Sequence, residues 1–192
     1  MMIVVLAYPL PLSAVVSATV WACAVALLVR IAIVDMRTRT IPNKLTLSLA
    51  VLWAASAMLL CLVGGGASWE PSGPLPFSAM ASGSMRAGVA QSFVAAASVA
   101  AVLLASDGSM TAATGSPAIG GGDVKLLAVL GLYLGFYGVF ACLAGACILA
   151  LAAQVVRCAV ARIKRAPPPA RDFPFAPYIG MAFAAVVLAG LW

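Results

Sequence analysis

The 192-residue chain contains no histidine and only five acidic residues. The first absence excludes Ser–His and Cys–His nucleophile pairs, which need an imidazole base. It excludes the H-E-x-x-H helix of zinc proteases as well. Charge of either sign is scarce, at 8% of the sequence against roughly 25% in soluble domains. The cysteines, Cys23, Cys61, Cys142, Cys147 and Cys158, form no C-x-x-C pair and lie in or near apolar segments. A disulfide framework or zinc site is therefore not expected, and small apolar packing is their expected use. No Lys or Arg precedes Arg30. The first apolar stretch thus lacks the basic n-region of a cleavable signal peptide and reads as a retained span.

What the chain has in abundance is apolar sequence. Hydrophobic residues make up 65% of it, and the mean hydropathy is +1.14. A membrane-crossing helix needs about 20 mostly apolar residues. The expectation is an all-α membrane protein of about six transmembrane helices in a single domain over residues 1–192. The spans fall near 13–34, 45–63, 87–105, 124–136, 139–156 and 177–192. Between the second and third, residues 64–86 are rich in Gly, Pro and Ser and read as a loop, with Trp69 and Phe77 as interfacial aromatics. Residues 106–122 are small and polar and read as a second long loop. Tyr137-Gly138 reads as a tight connection between spans four and five. Gly131 with Gly135, and Ala141 with Gly145, are small-xxx-small pairs suited to close helix packing. Gln91, inside span three, suits an interhelical hydrogen bond.

The basic residues set the orientation. Arg37, Arg39, Lys44, Lys125, Arg157, Arg162, Lys164, Arg165 and Arg171 fall on the odd-numbered connections, and only Arg86 falls on an even one. By the positive-inside rule the odd connections are cytoplasmic. Asp35, Asp107, Asp123 and Asp172 then lie on the cytoplasmic side and Glu70 on the other. The net charge of +6 sits in membrane-flanking segments, so it points to anionic membrane lipid rather than nucleic acid.

Two acids stand out. Gly120-Gly121-Gly122-Asp123 places a carboxylate at the end of a glycine run, directly before an apolar segment. Glycine permits positive φ and lets another chain approach the backbone closely. Asp123 also suits a plain helix N-cap. Asp35 closes span one, where a surface ion pair with Arg37 or Arg39 is the ordinary alternative. Carboxylates at the membrane boundary are costly unless they face the protein interior. Two of them held close together share a proton. One then serves as general base on a water while its protonated partner polarises a carbonyl, which is aspartic-protease chemistry without metal or cofactor.

These residues resemble a known family. Gly120-Gly121-Gly122-Asp123 matches a GxGD motif, continued by Val124-Lys125-Leu126-Leu127. Asp35 with Arg37, Arg39, Ile41, Pro42 and Asn43 resembles the first aspartate motif of type IV prepilin peptidases. Pro174-Phe175-Ala176-Pro177-Tyr178 resembles the segment that opens their last helix, with Ala176 where glycine is usual. The resemblance implies a GxGD membrane aspartic protease of the bacterial inner membrane. It implies cleavage of prepilin and pseudopilin leaders at the cytoplasmic face by an Asp35/Asp123 pair. Gly120, Gly121, Gly122, Lys125, Pro42, Asn43, Phe175 and Tyr178 would shape the site. Lys125 also suits snorkelling, and Phe175 and Tyr178 also suit anchoring of the last span. The chain shows no N-terminal region with paired cysteines, so the resemblance is to the short, peptidase-only form of tight-adherence (Flp) pili, without methyltransferase activity. A proton-coupled transporter or channel subunit, using the same two acids as a relay, is the alternative from a different class, and an inactive pilus-assembly scaffold is a third. The sequence gives no oligomeric state.

Overall fold

The computed structural model describes residues 12–63, 85–116, 119–165 and 174–189. All the regular structure among them is helical. The helices are α1 (Leu12–Thr38), α2 (Asn43–Val63), α3 (Met85–Thr114), α4 (Gly121–Ile163) and α5 (Ala176–Ala189). α4 packs most extensively on α3 and next on α5, while α1 packs against α2 and α5, and α2 touches α4.

Three helical stretches, Ala18–Thr38, Val89–Thr114 and Gly121–Ile163, are long and apolar enough to cross a membrane. Asn43–Leu59 and Ala176–Ala189 are shorter apolar helices. That count does not by itself reach the six crossings expected from the sequence. The last three residues of the expected sixth span lie outside the described residues, as do Trp69, Glu70, Phe77, Arg171 and Asp172.

The helix boundaries correct the sequence reading in three places. α1 does not stop at Asp35 but runs one turn further, to Thr38. It ends where Arg39 turns left-handed (φ 53°) and donates its N–H to the Asp35 carbonyl at 2.8 Å. α3 continues through Ser106–Thr114, which the composition had marked as loop. Three of its hydroxyls bond back to their own helix. Ser106 donates to Val102 O, Ser109 to Ala105 O and Thr114 to Met110 O, at 2.7–2.8 Å. Gly115, at φ 74°, then ends the helix with its N–H on Thr111 O. The break between the fourth and fifth expected spans is at Gly135, not at Tyr137-Gly138. Gly135 has φ 68° and ψ −175°, a region essentially reserved for glycine.

The core sits where α4's first half meets the other helices. Tyr133 is fully buried and donates its hydroxyl to Leu49 O at 2.7 Å. Trp21 lies between Tyr133 and Phe183, with ring centroids 5.9 and 5.6 Å away, so α1, α4 and α5 meet at one aromatic cluster. Gly131 is pressed so closely on α3 that an added Cβ would stand 2.9 Å from the Ala96 backbone. Gly145 similarly faces Ala182 of α5. Gly135 is buried and carries the chain break, and Gln91 is exposed.

Candidate active site

Asp35 is buried because of its place on α1. The core-facing stripe of that helix is Val20, Ala24, Leu28 and Ile31, and the next position at helical spacing is Asp35. The same periodicity that buries four apolar side chains thus carries a carboxylate into the protein, where it is 5% exposed. A surface ion pair with Arg37 or Arg39 is ruled out by this geometry; both arginines are exposed. Oδ2 of Asp35 instead accepts the backbone N–H of Ala176 at 3.1 Å. Ala176 is the first residue of α5, so the carboxylate meets the end of a helix whose N–H groups have no partner within it.

Asp123 stands in the first turn of α4, half-buried, and its carboxyl group lies within electrostatic reach of Asp35. Gly120 precedes the helix with extended backbone (φ −67°, ψ 127°), and its carbonyl accepts the N–H of Asp123 at 2.9 Å. The cap is thus a main-chain carbonyl turn, and no side chain of Gly120 contributes. None of the three glycines adopts positive φ; what the turn requires is the missing Cβ. At Gly120 a Cβ would stand 3.0 Å from Oδ2 of Asp123. At Gly122 it would stand 3.0 Å from Cβ of Ile41. Gly121 alone faces open space. Two glycines therefore make room for neighbouring side chains, and one leaves a free approach.

The α1–α2 turn docks on this loop. Ile41 packs against Gly122. Pro42 starts α2, its carbonyl accepting the N–H groups of Leu45 and Thr46 at 3.1 and 3.3 Å. Asn43 Oδ1 accepts Lys125 Nζ at 3.3 Å, so the lysine bridges to α2 rather than only reaching towards solvent. On the third side, the Phe175 carbonyl accepts the N–H groups of Tyr178 and Ile179 and opens α5. Phe175 and Tyr178 are half-buried against the core. Residues far apart in sequence, 35–43, 120–125 and 174–178, are thereby brought to one end of the bundle. Asp107, not included among the site residues by sequence, joins them. Its Oδ1 accepts the N–H of Ile119 at 2.8 Å, immediately before the glycine run.

One end of the bundle thus holds a buried carboxylate, a second one within electrostatic reach of it, and a glycine run beside them. The family model described as the type IV leader peptidase family matches residues 22–155. The chain belongs to the type IV leader peptidase family. The matched region includes both aspartates and the glycine run, and it ends before α5. Neither a curated protein nor a solved structure matches the chain. Membership makes this chain a protease, and with its apolar helices a multi-pass membrane protein that takes prepilins as substrates.

Proposed function

We propose that this member of the family is an aspartic endopeptidase that removes the leader of type IV prepilins and pseudopilins at the cytoplasmic face of the inner membrane. The Asp35/Asp123 pair activates the water. The observation that carries the reading is Asp35 itself. A carboxylate at a buried position is costly unless the site uses it or pairs it, and this one is held by a main-chain N–H beside a second carboxyl group.

In this mechanism the two carboxyl groups share one proton. The ionised one takes a proton from water as its oxygen attacks the scissile carbonyl carbon. The protonated one hydrogen-bonds to the carbonyl oxygen, which becomes a gem-diol hydroxyl. The carboxyl group that took the water's proton gives it to the amide nitrogen, and the other takes a proton from a gem-diol hydroxyl. The C–N bond breaks, and the leader's carboxylic acid and the mature N-terminal amine are released, with the pair again sharing one proton. No cofactor takes part. Ala176 N–H fixes Asp35 through Oδ2 and leaves Oδ1 for the water or the shared proton. The open space at Gly121 suits an extended substrate backbone, while Lys125, Asn43 and Pro42 hold the loop that carries Asp123.

The cytoplasmic placement is supported by the cations around this end of the bundle, with exposed Arg37, Arg39, Lys44 and Lys125 beside the two acids. Anionic lipid is the expected partner of the basic stretch from Arg157 to Arg171.

The test is co-expression with candidate prepilins, read as a mobility shift and an N-terminal sequence. Wild type cleaves. Asp35→Asn and Asp123→Asn each lose at least about 10²–10⁴-fold in rate, the span of a lost general acid or base. Cleavage surviving either substitution removes that residue from the pair. No cleavage by folded wild type across several prepilins, with proton flux instead, favours the transport reading.

A further inference from the structure

We propose that Asp107 is a positioning residue for the loop that presents Asp123, a role that rests on the protease reading above. Two observations lead there. The first is its place on α3. The buried stripe of that helix runs Ala95, Val99, Leu103, and the next position at i+4 is Asp107, half-buried at the end of the bundle that holds the two acids. This is the arrangement found for Asp35 on α1, a carboxylate extending a core-facing stripe. The second is the bond it makes. Oδ1 accepts the N–H of Ile119 at 2.8 Å across twelve residues of sequence.

The bond acts on one side of a short mechanical chain. Ile119 precedes Gly120, whose carbonyl receives the N–H of Asp123 at 2.9 Å and of Val124 at 3.3 Å. From the other side Ile41 bears on Gly122 and Asn43 on Lys125. Asp107 thus clamps the α3 side of the turn and the α1–α2 connection clamps the opposite side. Asp107 needs to be an acceptor for this task; it need not be charged. In this role Asp107 acts through the turn and not on the reacting atoms, so its loss displaces Asp123 without deleting a reacting group. A displacement of about 1 Å at a reacting group costs up to about 100-fold in rate.

The experiment compares Asp107→Asn with Asp107→Ala in the full chain in membranes, using a prepilin that wild type cleaves. Asparagine keeps an Oδ1 acceptor and alanine does not. Asp107→Ala is expected to lower kcat by about 10- to 100-fold with KM within about twofold. Asp107→Asn is expected to restore kcat to within about threefold of wild type. Hydrogen exchange of the peptide containing Ile119 gives a readout independent of turnover: protection is retained in the asparagine variant and lost in the alanine variant. A folded Asp107→Ala with wild-type kcat overturns the proposal. So does an Asp107→Asn that is inactive or does not fold, since that result requires the charge. Should Asp107→Ala fail to fold, the asparagine variant alone decides. Failure of wild type to cleave counts against the protease reading and leaves the exchange measurement to judge the clamp.

Discussion

The two halves of α4 have the same kind of sequence and opposite surroundings. Before Gly135, Val124, Leu126, Leu127 and every residue from Leu130 to Leu134 are buried. After it, burial is confined to Val139, Cys142, Ala146 and Ala150, a narrow stripe of mostly small side chains. Ile148, Leu149, Leu151, Val155 and Val156 face outward. In a soluble protein the outward face would be polar. In a lipid-facing helix it is as apolar as the core, so hydrophobicity cannot tell the central rod from the peripheral one. Packing distinguishes them. The half that carries Asp123 is surrounded by α2, α3 and the aromatic cluster. The other half lends one side to its neighbours. A side chain with the role proposed for Asp123, held to within a fraction of an ångström, belongs on the enclosed half.

Substitutions along α4 sharpen this contrast. The largest effect is expected at Gly131, where a valine would drive its side chain into the α3 backbone; little folded protein should be recovered after extraction. Recovery at wild-type yield would show that the α3–α4 approach is looser than described. Next is Leu127→Ala. It leaves a cavity in the enclosed half at a cost of about 2–4 kcal/mol, read as a lowered unfolding temperature in detergent. Tyr133→Phe removes the buried bond to Leu49 O and is expected to cost about 1 kcal/mol. Smallest is Leu151→Ala in the outward-facing half, within about 0.5 kcal/mol of wild type. A loss at Leu151 equal to that at Leu127 would break the comparison and point to a partner covering that face.

How far the site was legible in the sequence follows the same division between chemistry and geometry. Asp35, Asp123 and their neighbouring motifs were legible because acids are so rare in this chain. Helical periodicity would have added that Asp35 lies on the buried stripe of α1, but the reading ended that helix at the acid. The stretch after Ser106 was misread because serine, threonine and glycine usually signal loops. Here the hydroxyls bond back to carbonyls one turn earlier and the helix continues. Read as loop, Asp107 is only one of four acids on the cytoplasmic side; its place on the buried stripe of α3 is visible only once that helix is known to extend past it. The break at Gly135 was misplaced by a few residues because Gly131, Gly135 and Gly138 look alike in sequence. Only one of them adopts a conformation closed to other residues. The docking of α5 on Asp35 was not legible at all, since a main-chain donor leaves no mark in the residue type.

That last contact has a consequence for how such a site drifts over evolutionary time. Side-chain partners of a reacting group are exposed to every point mutation that changes them. An amide hydrogen is common to nineteen of the twenty residue types, and only proline lacks it. The donor facing Asp35 is therefore protected against almost any codon change at position 176, where this chain has alanine. Ala176 is itself buried, so packing limits the volume of the side chain there, while the amide donor is common to every residue type that fits. The polypeptide backbone holds the most constrained atom of the site, and the genetic code has almost no means of erasing it.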